Sequence, residues 1–236
     1  MTRADMIALL DLTSLNQDDD AAHIASVCGA AVQDFGQVAA VCVYPQFVAQ
    51  ARSLCPLNIE IATVVNFPTG ERDLDSVLME TVQAIQDGAS EIDMVFPYQS
   101  FINGDEEEAE SFCRRVVELC HKHKTRTKVI LETGALTLEQ VRAVAQSALN
   151  CGADFLKTST GKIDRGATAE AVAVLLDVIR SNGSRCGLKV SGGVRTLAQA
   201  QSYVELTQSA LGSSFLNPKQ FRIGASGLLH ELVNLG

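Results

Sequence analysis

Eight short runs of apolar and β-branched residues recur along this chain, each followed by a longer stretch with helical character. The runs are Ile7–Leu12, Gln37–Tyr44, Glu60–Asn66, Glu91–Phe96, Lys128–Thr133, Asp154–Ser159, Gly187–Ser191 and Arg222–Gly224. Between them, Asp73–Asp87 sets Leu74, Val77, Leu78, Val82 and Ile85 on one helical face, with Gly88 as a stop. Ala167–Arg180 opens with Thr168 in an N-cap position and Glu170 in the first turn, and Thr137–Leu149 begins the same way. Strands alternating with helices predict βαβ units and a parallel sheet. Eight such units in 236 residues match the usual length of a closed (β/α)8 barrel, an α/β fold expected here as one domain over residues 1–236. The alternative is a doubly wound open sheet. Its glycine fingerprint after the first strand is missing, because that strand runs into DLTSLN. No Pro/Gly/Ser-rich linker, charge block or low-complexity tract divides the chain.

Composition narrows the partners. Nearly half the residues are apolar and a fifth charged, enough to bury a substantial core. The formal net charge of −9 argues against a nucleic-acid partner, since phosphate contacts need clustered lysine and arginine. A local basic pocket for a small anion stays compatible with it. The apolar run in MTRADMIALLDLTSLN is too short for a signal peptide and is interrupted by Asp11, and no window reaches the length of a membrane span. Seven cysteines, an odd number without CxxC or zinc-ribbon spacing, point to reduced thiols in a cytoplasm.

In barrels of this kind active sites gather at the C-terminal ends of the strands. Asp11, Cys42, Asn66, Asp93, Glu132, Lys157, Lys189 and Ser226 are the unusual polar residues expected there. Alternation along a strand puts Glu91, Asp93 and Val95 on one face of the fourth, Phe155, Lys157 and Ser159 on one face of the sixth, and Gly187, Lys189 and Ser191 on one face of the seventh. An inward Asp93 would then meet Lys157 and Lys189 across the barrel mouth. Lysine attacks a carbonyl only as the neutral amine, and both burial and a neighbouring cation pull its pKa down from about 10.4. A carboxylate beside the pair would move the protons that carbinolamine dehydration and enamine formation require. Spacing alone also admits a buried Lys–Asp ion pair with a spare surface lysine.

Two glycine runs point to an anion. SGGVRT (Ser191–Thr196) leaves the seventh strand for a helix, and GASGLL (Gly224–Leu229) does so after the eighth. Glycine lets phosphate approach backbone N–H groups, and the loops after strands seven and eight are where barrels commonly hold it. Thr158–Lys162 adds hydroxyls and a cation but is not a P-loop, because Leu156 stands where the upstream glycine would be and Ile163 follows Lys162. Cys42 reads as a packed core thiol. Cys120, His121 and His123 lack the i, i+4 spacing of a helical zinc site and read as a solvated helix end. Glu106–Glu108 reads as a charged helix face.

DLTSLN, VCVYP, NFPTG, EIDMVFPY, LETG, DFLKTSTGK, GLKVSGGVRT and RIGASGLL follow one another along nearly the whole chain as in the 2-deoxy-D-ribose-5-phosphate aldolases. This resemblance implies a class I aldolase on a (β/α)8 barrel, reversibly cleaving 2-deoxyribose 5-phosphate to acetaldehyde and glyceraldehyde 3-phosphate with no metal or other cofactor. It implies Lys157 as the Schiff-base lysine, Lys189 as the lysine that depresses its pKa and Asp93 as the proton-relay carboxylate. Asp11 and Thr13 match positions facing the sugar carbons, and Lys162, Gly192, Gly193 and Ser226 match the phosphate cradle. The implied partner is a small phosphorylated sugar, with room for a homodimer and none for nucleic acid or membrane. The chain departs from the family where many members carry a tyrosine in a C-terminal tail and this one ends in NLG, and where Ser226-Gly227 replaces Ser-Ser. A metabolite-sensing barrel without catalysis, or a Schiff-base aldolase with another donor or acceptor, are the rival readings.

Overall fold

A computed structural model describes residues 1–183 and 186–234. Eight parallel strands close into a barrel: β1 Leu10–Thr13, β2 Ala40–Val43, β3 Glu60–Val65, β4 Glu91–Val95, β5 Arg126–Ile130, β6 Phe155–Lys157, β7 Gly187–Ser191 and β8 Phe221–Ala225. Each strand pairs with its sequence neighbours, and β8 pairs with β1 to complete the ring. The helices that follow the strands are α1 Ala21–Ala30, α2 Val48–Leu54, α3 Leu74–Gln86, α4 Glu106–Lys122, α5 Leu138–Asn150, α6 Ala169–Ser181, α7 Leu197–Leu211 and α8 Leu228–Asn234. The expected (β/α)8 barrel is the fold, and the open-sheet alternative falls because β8 closes on β1. Among the described residues no helix is long and apolar enough to cross a membrane.

Local signals place the helices. Thr137 and Thr168 cap α5 and α6 as expected, Thr137 in a reciprocal capping box with Gln140. Thr196 and Gln199 repeat that box at the start of α7. The face of α3 is rotated from the expected one: Val77, Thr81 and Ala84 are its fully buried positions. Thr81 tolerates this because its hydroxyl donates to the Val77 carbonyl at 2.7 Å. Leu78 and Val82 instead border a surface groove against Leu119 of α4.

Several strand boundaries differ from expectation, three of them for clear local reasons. Ile7 and Ala8 belong to an N-terminal helix, Arg3–Ala8, started by a Thr2–Asp5 capping box, so β1 begins only at Leu10. Gln37 pairs backwards in a small hairpin, Val32–Gln33 with Gly36–Gln37, ahead of β2. β5 stops at Ile130 because Glu132 takes a left-handed backbone, φ 55°.

The barrel interior is divided by chemistry. On β2 and β3 it is lined by the small buried side chains of Ala40, Cys42, Ala62 and Val64. The remaining strands contribute buried charge: Asp11, Glu91, Asp93, Lys128, Lys157, Lys189 and Arg222. Gly187 makes room for this half, since a Cβ there would stand 2.4 Å from the Phe155 ring.

Candidate active site

Asp93 is the centre of the charged half. One of its oxygens accepts from Lys157 Nζ and from Lys189 Nζ, each at 2.7 Å; the other accepts from Lys128 Nζ at 2.7 Å. The register explains the meeting, for Lys157 lies beside Lys189 across β6 and β7, and Asp93 beside Lys128 across β4 and β5. The expected trio is therefore assembled, with a third lysine added.

The network closes on itself below the trio. Lys189 also pairs with Asp11 at 2.7 Å, Asp11 with Arg222 at 2.5 Å, Arg222 with Glu91 at 3.0 Å, and Glu91 with Lys128 at 2.6 Å. Arg126, at the outer edge, reaches Glu91 at 2.7 Å. Lys128, Arg222 and the role of Glu91 were not anticipated from the sequence. Lys128 and Arg222 each open the run that reads as a strand in the sequence, where a cation reads as solvent-facing.

Within this sealed set, Asp11, Glu91 and Asp93 offer three negative charges to Lys128, Lys157, Lys189 and Arg222, which offer four positive ones. A buried excess charge is costly, so one cation is under pressure to give up its proton. Lys157 is the least supported: it contacts one carboxylate and shares that oxygen with Lys189. Burial lowers its pKa below the ordinary lysine value and the Lys189 ammonium lowers it further, against the opposing pull of Asp93. For Lys189, burial acts the same way but is outweighed by Asp11 and Asp93, so its pKa is raised. Lys128 is likewise raised, because Asp93 and Glu91 overcome its burial. Burial alone would raise Asp93, yet Lys128, Lys157 and Lys189 hold it well below the usual carboxylate range. The geometry thus separates two adjacent amines, one with its pKa lowered toward the neutral form and one held as ammonium.

Above the network a cavity of about 200 Å³ opens at the C-terminal ends of the strands. Lys157 and Lys189 reach its floor, Thr13 and Asn16 line one side, and Lys162, Gly192, Gly193 and Ser226 lie at its mouth with Arg195. Among the described residues no aspartate or glutamate is on its wall, although the chain as a whole is acidic. Gly192 and Gly193 both have left-handed backbones, φ 82° and 89°, which strain any other residue. Of the anticipated contacts, Asp11 is the exception: it lies fully buried beneath the cavity, held by Lys189 and Arg222, and not on its wall. Arg195 was missed, and the GGVR run could have revealed it.

The other polar candidates have separate duties. Cys42 is fully buried on the apolar side and burial raises its thiol pKa, in keeping with a packed core residue. Asn66 and Glu132 tie loops through left-handed backbones, Asn66 to the Val95 carbonyl at 2.9 Å and Glu132 to Thr160. Cys120 is buried, and His121 pairs with Asp154 at 2.9 Å. Glu106–Glu108 occupies the first turn of α4, where acidic side chains complement the helix dipole. The comparison at the NLG terminus falls partly on Leu235 and Gly236, outside the described residues.

Residues 5–229 match the DeoC/LacD family aldolases. The chain is 42% identical over 232 residues to a deoxyribose-phosphate aldolase from Agrobacterium fabrum, covering 97% of this chain and 89% of that one. Among solved structures, a protein of Coccidioides immitis assigned to deoxyribose-phosphate aldolase superposes with a TM-score of 0.86 at 28% identity, over 98% of this chain and 87% of that one. A tetrameric deoxyribose phosphate aldolase from Aeropyrum pernix shares the fold, with a TM-score of 0.80 at 23% identity over 100% and 94% of the two chains.

Proposed function

We infer the reaction from the premise that this chain belongs to the DeoC/LacD aldolase family, and propose that it reversibly cleaves 2-deoxy-D-ribose 5-phosphate into acetaldehyde and D-glyceraldehyde 3-phosphate. The observation that carries the assignment is the amine of Lys157. It is 3% exposed, opens onto an otherwise cationic cavity and is the member of the buried charge set that pairs with a single carboxylate, one it shares.

In the cleavage direction, the neutral Lys157 Nζ adds to the C1 aldehyde of the open-chain sugar, and the resulting carbinolamine loses water to give a protonated imine. The imine withdraws electrons, the C3 hydroxyl loses its proton and the C2–C3 bond breaks, releasing glyceraldehyde 3-phosphate. Protonation of the enamine at C2 and hydrolysis of the imine then free acetaldehyde and restore Lys157. Each stage moves a proton near the imine nitrogen. Asp93, 2.7 Å from both Lys157 and Lys189, is placed to pass protons between them. Lys189, anchored by Asp11, supplies the cation that holds the Lys157 pKa down. Lys128, Glu91 and Arg222 act as positioning residues, fixing Asp93 and Asp11. Thr13 faces the sugar, and Lys162, Gly192, Gly193, Ser226 and Arg195 receive the phosphate, supported by the absence of any carboxylate from the cavity wall.

A binding barrel without catalysis would need the anion cradle but not a buried, undercompensated amine, so the aldolase reading is preferred. Reduced cytoplasmic residence belongs to the same proposal, supported by seven cysteines that are all buried, as does a homodimer, which light scattering of the purified chain tests. The deciding experiment measures acetaldehyde released from 2-deoxyribose 5-phosphate, then repeats the incubation with borohydride. Loss of activity with an ethyl group on the Lys157 peptide is the expected outcome. Absence of acetaldehyde release would sink the reaction, and labelling of Lys189 instead would exchange the two lysines' roles.

A further inference from the structure

The Lys162 side chain at the cavity mouth is held from two loops, and each loop is tied to a buried carboxylate that does not touch the cavity. Beyond β5, the barrel ladder continues irregularly, with Leu131 N donating to the Lys157 carbonyl at 2.9 Å and Thr133 N to the Thr158 carbonyl at 2.8 Å. Between them stands Glu132, 1% exposed, on a left-handed backbone with φ 55°. Such a conformation is uncommon for a residue with a Cβ and persists only where its surroundings enforce it. It brings the carboxylate to Thr160, whose backbone N donates to Glu132 Oε1 at 3.3 Å and whose hydroxyl donates to Oε2. The same Thr160 hydroxyl accepts from the Lys162 backbone N at 3.0 Å. From the other side, Lys162 Nζ donates to the Leu15 carbonyl. Leu15 sits between two residues fixed by Asp19, whose side chain is 2% exposed. The Ser14 hydroxyl reaches both Asp19 oxygens at 2.9 Å, and Asn16 donates to them from its backbone N and from Nδ2, each at 3.0 Å.

We propose that Glu132 and Asp19 are positioning residues for Lys162, and that together they determine the preference for a phosphorylated over an unphosphorylated sugar. The inference rests on the reading of Lys162 as a phosphate contact. A lysine side chain carries much rotamer entropy, and a phosphate that must order it pays that cost on binding. The two carboxylates meet the cost in advance by fixing the backbone at Thr160–Lys162 and the carbonyl at Leu15. They lie behind the wall, so they bring no negative charge to face the anion. Neither makes a hydrogen bond or ion pair with Lys157, Lys189 or Asp93, but the Glu132 charge still acts on Lys157 through space, so Asp19 gives the cleaner test.

The test compares Glu132→Gln and Asp19→Asn, which keep shape while removing the charge that orients the donors. For each variant, KM and kcat are measured with 2-deoxyribose 5-phosphate and with 2-deoxyribose, and inorganic phosphate is titrated calorimetrically. Loss of one charge-assisted contact should raise KM for the phosphorylated sugar and weaken inorganic phosphate by about tenfold. For Asp19→Asn the kcat should hold within about twofold and kcat/KM for 2-deoxyribose should stay unchanged, since Asp19 lies away from the imine-forming amine; for Glu132→Gln the phosphate titration, which does not depend on Lys157, is the deciding readout. Equal losses on both sugars, or no loss on either, would overturn the proposal, and so would failure of both variants to fold. A wild-type chain inactive on the phosphorylated sugar would remove the proposed reaction while leaving the phosphate titration to decide this one.

Discussion

Replacing Lys189 by leucine tests the charge balance that keeps Lys157 neutral. With Lys189 gone, Lys128, Lys157 and Arg222 face Asp11, Glu91 and Asp93 one for one, and a protonated Lys157 becomes part of a balanced set. Lys157 and Lys189 are both 2.7 Å from one Asp93 oxygen, so their nitrogens stand at most about 5.4 Å apart. Two unit charges at that separation repel by about 3 kcal/mol at an effective dielectric of about 20. Removing that repulsion favours the ammonium form of Lys157 by about a hundredfold. Asp93, relieved of one cation, attracts the proton more strongly and adds to the effect. The kcat near neutral pH should therefore fall by about a hundredfold, with the acid limb of the pH–rate profile displaced upward and activity recovering as the pH is raised. Leaving Asp11 and Asp93 each short of a partner should also cost about 3–5 kcal/mol of stability, so a thermal melt sets the assay temperature. The decisive readout is the shape of the profile. A lower plateau with an unmoved acid limb would show that Lys189 does not act on the Lys157 pKa.

Lys157→Met should fold, because a long unbranched side chain fills the same space, while losing imine trapping altogether; circular dichroism and borohydride labelling check both. Acid stability follows from Asp11 and Asp93, whose folded pKa values lie below the ordinary 3.8. Their contribution is complete above that value and is lost as the pH falls through the lower folded value, so Tm should hold between about pH 7 and 5 and drop below about pH 4. A Tm already falling between pH 7 and 5 would contradict that window. Gly227→Ser should fold, since a Cβ there meets nothing within 4 Å, and should lower KM for the phosphorylated sugar alone; an equal change with 2-deoxyribose would mean the position does not read phosphate.

Lys157 and Lys189 were legible because a lysine inside an apolar run contradicts its surroundings, and alternation along the strand then aimed Asp93 at them. Lys128 and Arg222 escaped because each opens the run read as a strand from the sequence, where the same residue is unremarkable, although β5 in fact begins at Arg126. Glu132 was expected at its strand end, but its use was not legible: it depends on a backbone φ of 55°, and nothing in LETG marks a left-handed glutamate. The boundaries moved for local causes, a capping box at Thr2–Asp5 and the turn at Glu132, each stronger than the apolar pattern across it.

Yet the two hidden cations were implied by charge alone. Alternation already put Glu91 on the face of Asp93, and Asp11 was expected in the same interior. Three buried carboxylates with Lys157 neutral leave Lys189 as the single known counterion, two charges short. Only cations from the remaining strands can supply the difference: β5 offers Lys128 and, with the same parity at its outer edge, Arg126, and β8 offers Arg222. The same accounting separates the two central lysines. Within the bonded set the buried cations exceed the buried carboxylates by one, and the amine under most pressure to lose its proton is the one that shares its only carboxylate and opens on the cavity.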